Sequence, residues 1–110
     1  MLEDDKKQDS SITGGDEALL LVSGSKGSKD GDKDYVKKLA NAIVQVYNKH
    51  DEVRLRCVGA AANNNFIKAY AIAKKEALKQ GDSFRVDWDF TTVQFDGEDK
   101  TGILFEILPD

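Results

Sequence analysis

The first continuous apolar run in the chain, Ala18 to Ser23 (ALLLVS), is short and flanked on both sides by turn residues, which predicts a buried strand in the middle of a sheet. The next stretch, Gly24 to Lys33 (GSKGSKDGDK), has no apolar side chain and predicts a loop. From Lys33 the apolar positions take up helical spacing. Val36, Leu39, Ala40, Ile43, Val46 and Tyr47 recur every three or four residues and share one face, with Asp32 as the expected N-cap and Lys49 and His50 at the C-terminal end. Glu52 to Val58 then alternates, Val53, Leu55 and Cys57 on one face against Arg54, Arg56 and Val58 on the other, as a strand with one wet face does.

Gly59 to Ala62 reads as a small-residue turn, after which Asn63 or Asn64 can cap a second helix running to about Gln80, with Lys79 before Gly81 as a stop signal. This helix carries two apolar rows, Phe66, Ala69, Tyr70, Ala73 and Ala77 in one and Ile67, Ala71, Ile72 and Leu78 in the other. Such breadth suits a helix covered on two sides, and a second subunit can supply one cover. Phe84, Val86, Trp88 and Phe90 alternate with charged residues until the phase slips to Val93 and Phe95, which predicts a β-bulge or bend near Thr91 and Thr92. Asp96 to Asp99 is a turn and Thr101 to Leu108 a returning strand, so the last third is a long hairpin. The order β-α-β-α-β-β predicts an α/β two-layer (α+β) fold, with two helices on one face of a mixed four-stranded sheet.

Length and charge refine this picture. At 110 residues and 40% apolar the chain supports one domain, expected over residues 18–110. Residues 1–17 hold six acidic and two basic side chains, which accounts for the whole net charge of −4, and they read as a disordered acidic tail. The rest of the chain is neutral. A single cysteine, Cys57, excludes an internal disulfide, and neither a signal peptide nor a spanning apolar run is present, so a cytoplasmic protein with no membrane association is expected.

No set of residues for catalysis or metal binding emerges. The one histidine, His50, belongs to an exposed helix end, Cys57 shares a face with Val53 and Leu55, and together they cannot furnish four zinc ligands. Asp30, Asp32 and Asp34 begin like a calcium loop, but Tyr35 and Asn41 stand where that motif needs Gly and Glu. Asp96, Glu98 and Asp99 read as a solvated turn. No catalytic residue, metal or cofactor is therefore expected. The loop before the first helix offers Gly N–H groups, hydroxyls and lysines to a phosphate, while its aspartates offset Lys26, Lys29 and Lys33, so a phosphate site and a flexible loop both remain open. Arg54 and Arg56 share a strand face with Arg85 expected nearby, Lys68, Lys74 and Lys75 decorate the second helix, and Asn63-Asn64-Asn65 can meet nucleotides or serve as cap and turn.

The segment GAAANNNFIKAYAIAKK, Gly59 to Lys75, resembles the stage V sporulation protein S family of the Alba superfamily, and FTTVQFDGEDKTGI, Phe90 to Ile103, is similar to that family's hairpin. With LLLVSGSK in front, the likeness covers residues 19–108. It implies an Alba-like fold, dimers or tetramers, and a nucleic-acid-facing surface made by the first loop and the hairpin. The positions carried over are Ser23, Ser25 and Lys26, then Gly59, Asn64 and Lys68, and Lys100, with Lys74 also where a basic residue is common. The chain departs from the family in its acidic tail, in Asp30, Asp32 and Asp34, and in Arg85, Asp87 and Asp89 of the third strand. The expectation is a non-enzymatic, homo-oligomeric regulator that binds DNA or RNA through Ser25, Lys26, Lys29, Lys33, Lys68 and Lys100, with Arg56 and Asn64 as further contacts. The alternative is a protein–protein assembly module without a nucleic-acid role.

Overall fold

A computed structural model describes residues 18–24 and 29–110, the side chains of residues 29–32 and 95 excepted. Among these residues six elements follow one another: β1 (Leu19–Val22), α1 (Lys29–His50), β2 (Val53–Cys57), α2 (Ala60–Lys79), β3 (Phe84–Phe95) and β4 (Glu98–Pro109). The strands form one sheet in the order β1-β2-β4-β3, with β1 and β2 parallel and the other neighbours antiparallel. Both helices pack on the same face, as the periodicities require. The β1-α1-β2 unit makes the parallel pair, and the hairpin adds the antiparallel ones.

The core lies between these layers. Leu20, Val53, Leu55, Cys57 and Ile107 from the sheet meet Leu39 and Ile43 of α1 and Phe66, Ala69 and Ala73 of α2, all fully or almost fully buried. Phe66 stacks on Phe105 with ring centroids 4.1 Å apart, and Tyr47 of α1 lies 4.6 Å from Phe84, so the hairpin is tied to both helices. The small residues Ala69, Ala73 and Ala77 let α2 lie close against the sheet and its neighbour.

Several local expectations are corrected. Among the described residues the first strand lies at an edge of the sheet, not its centre. Leu20 and Val22 face the helices, and Leu21 on the open face is 39% exposed. The first helix begins at Lys29, a full turn earlier than the apolar spacing implies, so Lys29 to Lys33 are helix, not loop, and Asp32 is inside it rather than capping it. The second helix begins at Ala60, taking in the expected turn. Gly59, with φ 92°, occupies the N-cap position without a side-chain bond, and Asn63 and Asn64 are interior residues. Its end is as expected and forms a Schellman motif, in which the N–H groups of Gly81 and Asp82 donate to the carbonyls of Leu78 and Ala77.

The hairpin contains no bulge. Pairing runs unbroken from Phe84 opposite Pro109 to Phe95 opposite Glu98. Its turn is only Asp96-Gly97, both at positive φ (51° and 79°), as a type I′ turn needs. The phase slip has another cause. The inner face is covered at Phe84 and in part at Val86 but not farther along β3, where Trp88 and Phe90 are 66% and 77% exposed, so no uniform inside and outside is imposed there.

Candidate functional site

Where β1 ends, both helices take hold of the backbone. The Ser23 N–H donates to the Tyr35 hydroxyl oxygen on α1 at 2.7 Å, and the Asn65 side-chain amide on α2 donates to the carbonyls of Ser23 and Gly24, each at 3.0 Å. Asn65 is the one buried polar residue among those described, at 5% exposure. Its two amide protons are matched to two carbonyls, which offsets the cost of burying them. The chain is thereby fixed at the start of the segment that carries Ser25 and Lys26. The uncapped N-terminus of α2 is next to it, with a Cβ on Gly24 falling 3.1 Å from that of Ala61.

Beside this clamp a cleft of about 420 Å³ opens between the helices, lined by Lys33, Val36 and Lys37 from α1 and Asn64, Asn65, Lys68 and Ile72 from α2. The spacing explains the lining. Lys33 and Lys37 are one turn apart on α1, and Asn64, Lys68 and Ile72 are successive turns of α2. Three lysines thus line one cleft, and among the described residues no acidic side chain is in its wall. Lys79 pairs with Glu76 and Arg85 with Asp87, both away from the cleft. Like charges an α-helical turn apart repel by a few tenths of a kcal/mol, an arrangement that an anion relieves.

Of the expected contacts, the fold therefore joins Lys33, Asn64 and Lys68. Arg56 and Lys100 lie elsewhere, on the open face of the sheet, where Arg56 is opposite Leu104 and Lys100 opposite Val93. Ser25 and Lys26 lie outside the described residues, and Lys29 is placed only by its backbone, in the first turn of α1. Arg85 is not beside Arg54 and Arg56. Strand β4 separates them, and Arg85 is paired with Asp87 at 2.7 Å. Lys37 and Tyr35 are additions that sequence reading missed, and Asn65, expected only as a nucleotide contact or a cap, holds the backbone instead. Lys37 was within reach, being four residues from Lys33, whereas the partners of Asn65 are about forty residues away in the chain.

The groups considered for chemistry have structural places. Cys57 is wholly buried, and burial pushes its thiol up to about 12, far from a thiolate at neutral pH. His50 is half-buried rather than exposed, with an unpartnered Nε2. Among the described residues, no three of His, Cys, Asp and Glu are grouped to hold a metal, and no helix is long and apolar enough to cross a membrane.

The second apolar row of α2 does not form one stripe. Ile72 turns toward α1 and the cleft, while Ile67 and Leu78, 59% and 57% exposed, are on the outer flank. Tyr70, beside Phe84, marks the side of the helix that faces β3.

A two-layer α+β protein with the Alba-like strand and helix order, carrying a basic cleft at the exit of its first strand, is the class these features define. Residues 30–110 match the family Stage V sporulation protein S (SpoVS), and the chain belongs to that family. The matched region starts in the first turn of α1 and includes Lys33, Arg56, Asn64, Lys68 and Lys100, while Ser25, Lys26 and Lys29 precede it.

Proposed function

We propose that this sporulation-family protein is a non-enzymatic regulator that binds nucleic acid, in the cytoplasm, as a homo-oligomer. The observation that carries the reading is the gathering of Lys33, Lys37 and Lys68 along one cleft, without an acidic side chain in its wall among the described residues. The neutrality of residues 18–110 does not oppose it, because phosphates respond to the local field and not to the sum of charges. Asn65 of the cleft wall holds the carbonyl of Gly24, and Lys33 lines the cleft, which supports adding Ser25, Lys26 and Lys29 to the same surface. Lys100 and Arg56 form a separate contact on the open sheet face.

The test is an electrophoretic mobility shift with DNA and RNA at low salt, comparing Lys37→Glu/Lys68→Glu with Lys74→Glu/Lys75→Glu. Both variants change the charge equally, and all four lysines are exposed. The cleft variant is expected to weaken binding by at least about tenfold more than the other. Equal losses would move the interface away from the cleft, and wild-type protein that binds neither polymer refutes the reading.

A protein–protein assembly module is favoured by one specific observation, the exposure of Trp88 and Phe90 on β3 together with that of Ile67 and Leu78 on α2. Large exposed apolar side chains such as these mark a contact surface. An oligomer covering them is part of the nucleic-acid reading too. The module alone is left standing if no polynucleotide binds.

A further inference from the structure

The cleft between α1 and α2 has more than charge. Its walls include the apolar side chains of Val36, which is 7% exposed, and Ile72, which is 38% exposed, and they stand among the three lysines. A surface meant only for a phosphate backbone has no use for an apolar floor. At about 420 Å³ the cleft falls within the roughly 300–1,000 Å³ range of small-molecule sites. Asn64, exposed and with a side chain that makes no hydrogen bond among the described residues, offers an amide donor and acceptor to the cleft.

We propose that this cleft receives one unstacked nucleotide, with its phosphate held by Lys33, Lys37 and Lys68, its base against Val36 and Ile72, and the Asn64 amide at the base edge. This rests on the nucleic-acid reading above and narrows it to single strands. A paired base is held in its stack and presents only groove edges and backbone, whereas a single strand can splay a base into a recess. Burying the apolar part of a base against two aliphatic side chains then adds to the phosphate contacts a contribution that a duplex cannot collect.

The experiment is a fluorescence-anisotropy titration at one fixed low salt concentration with three 12-residue ligands: single-stranded oligo(dT), its duplex with oligo(dA), and an abasic strand of equal phosphate count. Free thymidine monophosphate, as competitor, separates a lone nucleotide from one within a strand. Oligo(dT) is expected to bind at least about tenfold tighter than either the duplex or the abasic strand. Ile72→Gln and Asn64→Ala, both at exposed positions, are expected to remove most of that margin while leaving affinity for the abasic strand unchanged. Trp88→Ala serves as a control, because an exposed aromatic ring is the competing platform for a base.

Equal binding of all three ligands overturns the base pocket and leaves the phosphate surface intact. A margin abolished by Trp88→Ala but untouched by Ile72→Gln and Asn64→Ala overturns it as well, by locating the base on the hairpin. Failure of every ligand to bind overturns both this inference and the function it rests on.

Discussion

The side-chain amide of Asn65 holds the carbonyl of Ser23 at 3.0 Å across forty-two positions of sequence, and its second proton holds Gly24 at the same distance. One residue of α2 therefore sets where β1 ends and where the following segment leaves. Removing this amide strands two carbonyls in a part-buried site. Asn65→Ala is expected to lower stability by about 1–3 kcal/mol, and Asn65→Asp, which keeps the shape but loses both donors, by a similar amount. Urea unfolding monitored by circular dichroism reads this. An unchanged midpoint for Asn65→Asp would show that the clamp contributes nothing.

Gly102 of β4 lies tight against the end of β2. A Cβ there would be 2.6 Å from the carbonyl oxygen of Cys57 and 3.0 Å from a Val58 methyl. The obstructing atom is backbone, so it cannot rotate away, and Gly102→Ala is expected to push β4 from β2 at a cost of about 1–3 kcal/mol. That corresponds to roughly 4–8 °C in Tm for each kcal/mol. Gly102→Ala melting with the wild type would contradict the packing described here.

Stability should fall on the alkaline side. Burial raises the pKa of Cys57 from 9.0 to about 12 and that of Tyr47 and Tyr70 above their usual 10.0, with Asp82 and Asp51 adding to the effect at Tyr47 and Asp110 at Tyr70. The folded state thus keeps protons that the unfolded chain has released. This contribution is fully present below pH 9 and is lost as pH rises from there toward 12, by about 1.4 kcal/mol per pH unit for each group in its window. Unfolding free energies measured between pH 8 and 11 should decline, and Tyr47→Phe should decline less steeply above pH 10. A flat profile to pH 11 would contradict the assigned burial.

Trp88 and Phe90 are expected to lie within an interface between copies. Sedimentation of the wild type at tens of micromolar should show a dimer or larger species, and Trp88→Ser/Phe90→Ser should shift it toward monomer with its Tm little changed, since both side chains are mostly exposed. A monomeric wild type at that concentration would leave these rings without a partner of their own kind.

What the sequence discloses depends on whether the signal is periodic or local. The apolar spacing of Val36 to Tyr47 and the alternation of Val53 to Cys57 carry the helix, the strand and their inward faces, because burial imposes those periods. The first turn of α1 is hidden, since Lys29-Asp30-Gly31-Asp32 has no apolar residue to continue the pattern. The start of α2 is hidden for the opposite reason: Ala60-Ala61-Ala62 resembles a small-residue turn, although alanine is the strongest helix former. At the site, Lys33, Asn64 and Lys68 are visible by residue type and family likeness. Their convergence with Lys37 and Ile72 exists only once α1 and α2 are packed side by side.

The most direct measurement is the salt dependence of nucleic-acid affinity. If the cleft lysines and their neighbours neutralise about four phosphates, log K should fall against log salt with a slope of roughly −3.6, a loss on the order of 100-fold between 50 and 200 mM. Lys37→Glu/Lys68→Glu should flatten that slope by about 2. An affinity indifferent to salt, or a slope that the double charge reversal leaves unchanged, would contradict the assignment of this cleft to phosphate binding.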